Sequence, residues 1–98
     1  MYARLVRFSF PAGNDKNSAN AQALADELVP LIADQPGCHN VTVFGDQNDG
    51  DYGIYVLWDT QEHANEAAMV VHPKLEQHLA GKVTAPPNRG LFPVLRSA

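Results

Sequence analysis

A single cysteine, Cys38, leaves the chain without any internal disulfide, a usage that fits a reducing compartment. Basic residues are also few: seven Lys and Arg stand against eleven Asp and Glu, for a net charge of −4. They form no cluster, since Arg4 and Arg7 occupy one segment while Lys74, Lys82, Arg89 and Arg96 are scattered. Nucleic-acid affinity rests on neutralising many phosphates, so this balance opposes it, and an anionic membrane surface is disfavoured for the same reason. No stretch reaches the ~18 apolar residues of a membrane span. The beginning of the chain lacks the apolar core of a leader, because Pro11 to Asn20 is polar. A cytoplasmic protein that binds neither nucleic acid nor membrane is expected. No phosphate-cradling glycine motif is present, which removes nucleotide cofactors. The acidic run Asp46 to Asp51 imitates a calcium loop, but Gly50 stands at a ligand position and Asp51 where the loop needs glycine. It reads as a solvated turn.

What is present is a regular alternation of strand and helix signals. Tyr2 to Phe10 is rich in strand formers and ends at Pro11 and Gly13. Asn17 and Ser18 are helix-start candidates, after which Ala21, Leu24, Ala25, Leu28, Leu31 and Ile32 form one apolar stripe. Pro30 should bend that helix or restart its last turn, and Pro36-Gly37 stops it. Asn40 to Gly45 and Tyr52 to Trp58 read as two strands joined by a hairpin loop, Asp46 to Asp51, with Asp49-Gly50 supplying positive φ. Asp59 with Glu62 has the spacing of a capping box for a second helix. Pro73 disfavours helical geometry at His72, which predicts a break there and a second piece to about Ala80. Leu91 to Arg96 is a last, proline-interrupted edge strand.

The order β-α-β-β-α-β predicts one α+β domain over residues 1–98, a split βαβ unit of the ferredoxin-like type with a four-stranded antiparallel sheet. Two helices cover only one face of such a sheet. Yet Ile54, Val56 and Trp58 alternate with Tyr55 and Leu57, and Val6, Phe8 and Phe10 oppose Leu5, so both faces are apolar. A second copy of the chain is the simplest cover. The sequence therefore predicts a homodimer whose sheets pack face to face around a cavity.

Three segments, Gln35-Pro36-Gly37-Cys38, Trp58-Asp59-Thr60-Gln61-Glu62 and His72-Pro73-Lys74-Leu75, in this order and spacing, resemble the antibiotic biosynthesis monooxygenase family of the dimeric α/β-barrel superfamily. The resemblance implies a small dimer with a pocket between sheet and helices. In some members that pocket oxidises aromatic polyketides or quinols with O₂ and no added cofactor, and others degrade haem. The polyketide-oxidising branch carries an Asn four residues before the strand Trp; here that position is Ile54 and the Trp is Trp58. The haem-degrading branch uses an Asn on the first strand, where Arg4, Arg7 and Ser9 stand, and a His late in the second helix, where only His78 lies.

The site residues follow from their chemistry. Trp58 offers a flat ring for stacking and an indole donor, or else seals the strand end as a core aromatic. His72 and His78 are the candidate proton carriers, imidazole being the side chain suited to proton transfer near neutral pH; as structural residues they would cap the helix restart and sit on a solvated face. Arg4 and Arg7 have opposite parity, so one can reach a cavity and hold an oxyanion while the other lies near solvent. Tyr52 shares Trp58's parity and is a further candidate for the substrate pocket. Cys38 has no His or acid pattern around it and reads as a small space-filling thiol. The spacings of His63, His72 and His78 do not form the i, i+4 pair of a helical zinc site. The reading is cofactor-independent oxidation of a small aromatic compound, with no cofactor and no metal. The alternative is a non-catalytic ligand-binding or stress-associated dimer.

Overall fold

The computed structural model describes residues 1–46 and 48–98. Its elements are β1 (Tyr2–Ser9), α1 (Asn17–Ala33), β2 (Cys38–Asp46), β3 (Asp51–Trp58), α2 (Gln61–Leu79) and β4 (Asn88–Pro93). All strand pairs are antiparallel and the sheet order is β2-β3-β1-β4. This is the α+β ferredoxin-like arrangement expected from the chain order.

Alternation along the central strands divides the sheet into two faces. Register pairs Val6 with Ile54 and Arg4 with Val56, so these residues share a face. That face buries Val6, Phe8, Phe10, Ile54, Val56 and Trp58 against Leu24, Leu28 and Ile32 of α1 and Ala64, Ala67, Leu75 and Leu79 of α2. The other face carries Leu5 opposite Tyr55, Ala3 opposite Leu57 and Phe92, and Phe44 opposite Gly53. Phe44 and Phe92 are 41% and 56% exposed. A Cβ on Gly53 or Gly90 would occupy the space now filled by the Phe44 and Phe92 rings respectively. Glycine at these two positions lets each ring lie against the backbone.

Four expectations about local structure shift. The helix does not break at Pro73: α2 is continuous from Gln61 to Leu79. Pro73 is exposed and removes the donor for the Met69 carbonyl, and Met69 is 79% exposed, so solvent reaches the freed group. Burial of Leu75 and Leu79 keeps the later turns on the stripe begun by Ala64 and Ala67. The helix N-cap is Thr60 rather than Asp59; its hydroxyl accepts from the His63 N–H at 3.1 Å. Strand β2 starts at Cys38, two residues before the expected Asn40, with a register irregularity between Cys38 and Asn40. Strand β4 begins at Asn88 rather than Leu91, because Asn88 and Arg89 pair with Arg7 and Val6 of β1. In the β2–β3 hairpin, Gln47 lies outside the described residues. Gly50 has φ +76° as its turn role requires, and its carbonyl accepts from the Phe10 N–H at 2.8 Å.

Candidate functional site

The two helices treat the sheet differently. Helix α1 fills its side with Leu24, Leu28 and Ile32, whereas α2 presents Ala64, Ala67 and Ala68 near the end of β3. Small side chains there leave volume unfilled. The result is an apolar cavity of about 120 Å³ whose sheet side is Arg4 and Val6 of β1, Ile54, Val56 and Trp58 of β3 and Arg89 of β4. Its helix side is Ala67, Ala68, Val71, His72 and Leu75 of α2, with Ile32 of α1. An engineered cavity of about 150 Å³ holds benzene, so this space suits one aromatic ring.

Trp58 is held from several directions. It pairs across the sheet with Tyr2 on β1 and Cys38 on β2. The next residue, Asp59, donates its N–H to the Gly37 carbonyl at 2.9 Å and accepts from His63 Nδ1 at 2.7 Å. Gly37 has φ +85°, and any Cβ there would overlap Asp59 and His63. The Pro36-Gly37 turn and the start of α2 therefore grip the strand end that carries the indole. Trp58 is 2% exposed, and its Nε1 has no hydrogen-bond partner among the described residues. A buried donor without an acceptor costs about 1–3 kcal/mol, and this one belongs to a residue that lines a void.

The polar part of the lining is cationic. Arg4 is partly buried, and its Nη2 donates to Asn65 Oδ1 at 3.3 Å. Burial, and then the charge of Arg89, lower the Arg4 pKa from its usual value. Arg89 Nη2 lies 3.2 Å from Glu76 Oε1, and His72 Nε2 lies 3.5 Å from the same oxygen. Glu76 thus links the imidazole and the outer guanidinium, while Arg4 has no carboxylate within salt-bridge distance among the described residues.

Of the six side chains singled out from the sequence, Trp58, Arg4 and His72 come together at this cavity. Tyr52, Arg7 and His78 lie elsewhere. Tyr52 has the right parity but sits six residues along β3 from Trp58, about 20 Å at strand spacing. There it stacks on Phe8 at 6.1 Å and packs on Phe10 at 5.4 Å. Its hydroxyl is buried without a partner among the described residues, and burial raises its pKa. Arg7 is exposed, its odd parity turning it to the uncovered face. His78 Nε2 is 2.7 Å from Glu27 Oε1, so it ties α2 to α1. Sequence reasoning missed Arg89, whose strand was placed three residues too late. The Cys38 thiol has its pKa raised by burial, which opposes a thiolate role. Among the described residues no three His, Cys, Asp or Glu side chains are grouped to hold a metal ion, and no helix is long and apolar enough to cross a membrane.

The Asp59–His63 pair has a pH signature. The hydrogen bond to Asp59 raises the His63 pKa, and the same bond lowers that of Asp59. The raised imidazole contributes stability that is present below its unfolded pKa of about 6.5 and is lost as pH rises through the folded value. The carboxylate contribution is present above its unfolded value of about 3.9 and is lost as pH falls through the folded value. Both groups are near the surface, so the effect is modest. His63→Gln is expected to lower the Tm more at about pH 5.5 than at about pH 8.5. Equal losses at the two pH values in thermal melts would refute this assignment.

A model of the antibiotic biosynthesis monooxygenase family matches residues 1–81. The chain belongs to that family. None of the curated proteins matches it in sequence. Among solved structures it is similar to a Nitrosomonas europaea protein assigned to the antibiotic biosynthesis monooxygenases, with TM-score 0.80, 17% identity, and coverage of 98% of this chain and 100% of that one. It is also similar to SnoaB, a cofactor-independent oxygenase from Streptomyces nogalater, with TM-score 0.71, 19% identity, and coverage of 98% and 94%. A third is the monooxygenase ActVA-Orf6 of Streptomyces coelicolor in complex with nanaomycin D, with TM-score 0.74, 17% identity, and coverage of 99% and 88%. At these identities the likeness to solved structures establishes the fold. In this member of the family, the position four before the strand Trp is Ile54, buried and part of the cavity wall.

Proposed function

We infer that this cytoplasmic protein, acting as one domain over residues 1–98, is a cofactor-independent oxygenase for a small aromatic or quinol-type compound bound in the Trp58 cavity. The observation that carries this reading is Trp58 itself: a buried aromatic that lines an apolar void together with a guanidinium and an imidazole, and whose N–H has no acceptor among the described residues. The substrate ring lies among Ile54, Val56, Ala67 and Val71, with an oxygen facing Trp58 Nε1. His72 takes the phenolic proton, and the Arg4 guanidinium steadies the oxyanion that forms. An electron-rich phenolate reduces O₂ without a cofactor. A quinol gives two electrons and two protons, leaving quinone and hydrogen peroxide; where oxygen is inserted, an activated CH₂ becomes C=O and the second oxygen atom leaves as water. Ile54 offers no hydrogen bond to the oxyanion, which puts that task on Arg4 and Trp58.

The uncovered sheet face supports a homodimer. Leu5, Tyr55, Leu57, Phe44 and Phe92 form an apolar surface on a sheet whose two helices both pack on the opposite side. Two such faces in contact bury it with the self-complementarity of a two-fold interface. Light scattering should give twice the 10.7 kDa chain mass; a monomer mass at every concentration rejects the pairing.

Oxygen uptake with a panel of hydroquinones and polyphenols tests the activity. The wild type should consume oxygen with some members of the panel. His72→Ala should slow this by about a hundredfold or more, the usual scale of a positioned proton acceptor. Equal background rates in wild type, His72→Ala and Trp58→Phe would overturn the oxygenase reading. Saturable quenching of the single tryptophan without oxygen uptake would replace it with ligand binding.

A further inference from the structure

The cavity's charge is more specific than its shape. We propose that its occupant is a monocyclic hydroxylated aromatic carboxylate, with its ring beneath Trp58 and its carboxylate between Arg4 and Arg89. This deepens the preceding reading and rests on the cavity being a ligand site; for such an occupant Arg4 engages the carboxylate in place of the phenolate oxyanion.

Arg4 and Arg89 reach the same face from adjacent strands. Register sets Arg4 opposite Leu91 and Val6 opposite Arg89, so the two arginines are diagonal neighbours, about 7–8 Å apart at the backbone. Both line the cavity. Two like charges at this spacing repel, and the cost grows as they leave water. The lowered pKa of Arg4 has those two causes, burial first and Arg89 second. Protein carboxylates answer only part of the charge. Glu76 is 3.2 Å from Arg89, whereas the one side-chain acceptor of Arg4 among the described residues is the neutral amide oxygen of Asn65. Glu76 is itself 63% exposed at its side chain, so it binds the outer guanidinium from the solvent side of the site. The chain's net charge is −4, so this paired positive charge is local and not a by-product of a basic protein.

A carboxylate placed between the guanidiniums would accept from both and remove the repulsion, a charge-assisted geometry that favours planar oxyanions. Trp58 supplies the second point of recognition. Register pairs Arg4 with Val56, so Trp58 on the same face is a diagonal neighbour of Arg4. One ring can therefore lie against the indole while it presents a carboxylate to the arginines. The volume of about 120 Å³ limits the enclosed part to a single ring.

The test is anaerobic binding followed by Trp58 fluorescence, with 2,5-dihydroxybenzoate, its methyl ester and unsubstituted hydroquinone as probes. The acid should bind at least tenfold more tightly than the ester to the wild type. In Arg4→Gln, and in Arg89→Gln as a second variant at a more exposed position, the acid-to-ester ratio should fall toward one. Thermal melts of both variants establish that they are folded. An ester that binds as tightly as the acid overturns the proposal, as does a preference that survives both substitutions, or an absence of binding by all three probes. Because oxygen is excluded, the two readings fail separately. Acid-selective binding with no later oxygen uptake supports the carboxylate and removes the oxygenase; turnover of neutral quinols without acid preference does the reverse.

Discussion

Trp58→Ala is expected to lower the unfolding free energy by about 3–5 kcal/mol, the range for truncating a buried large aromatic, and to abolish ligand-dependent behaviour with it. For a domain whose total stability is of order 5–15 kcal/mol, that is a large share. The informative partner is Trp58→Phe. The indole Nε1 has no acceptor among the described residues, so deleting its N–H breaks no hydrogen bond to any of them. The packing loss, about 1–2 kcal/mol by comparison with other large-to-small core changes, is offset by removal of the unsatisfied donor, about 1–3 kcal/mol, so the net change in stability should be small. If the donor serves a ligand, affinity should nonetheless drop by about tenfold, the scale of one hydrogen bond in a dry site. Urea unfolding and ligand titration of the two variants separate these contributions. A Trp58→Phe protein that keeps full affinity would assign the indole to packing alone.

Leu5→Lys should dissociate the proposed homodimer while sparing the fold of the single chain. Leu5 lies between Tyr55 and Gly90 on the uncovered face, and a two-fold interface receives each substitution twice. An unpaired charge buried at an interface costs about 3–5 kcal/mol, so the dissociation constant should rise by a thousandfold or more. In the isolated chain Leu5 is only partly buried, and the lysine stem can extend into solvent. Light scattering across a concentration series, with circular dichroism to follow the fold, checks both halves. A variant that stays dimeric at micromolar concentration would place the interface elsewhere.

The architecture was legible where the signal is periodic. Alternation of two placed Val6, Ile54, Val56 and Trp58 on one face and Leu5, Tyr55 and Leu57 on the other, and it separated Arg4 from Arg7. The stripe Ala21, Leu24, Leu28 and Ile32 defined α1. What failed was non-local. Parity gives a face but not a position along the strand, so Tyr52 was grouped with Trp58 although it belongs to the Phe8–Phe10 cluster. His78 contacts Glu27 because of how α1 and α2 pack, and no local pattern encodes that. Arg89 was lost with the start of β4, where Pro86-Pro87 masks the alternation and pairing with β1 sets the boundary. Pro73 misled because its local penalty was weighed without the solvent exposure that offsets it.

The alternation on β3 carries a consequence for how this chain can change over time. Even-numbered residues from Ile54 to Trp58 wall the cavity, and the odd-numbered Tyr55 and Leu57 between them look outward. Point changes can therefore retune the chamber's contents without disturbing its outer coat. Deleting one residue between Gly53 and Leu57 would instead turn the strand inside out, exporting the lining and importing the coat in a single event. A substitution here acts on one face alone, and a change of length acts on both.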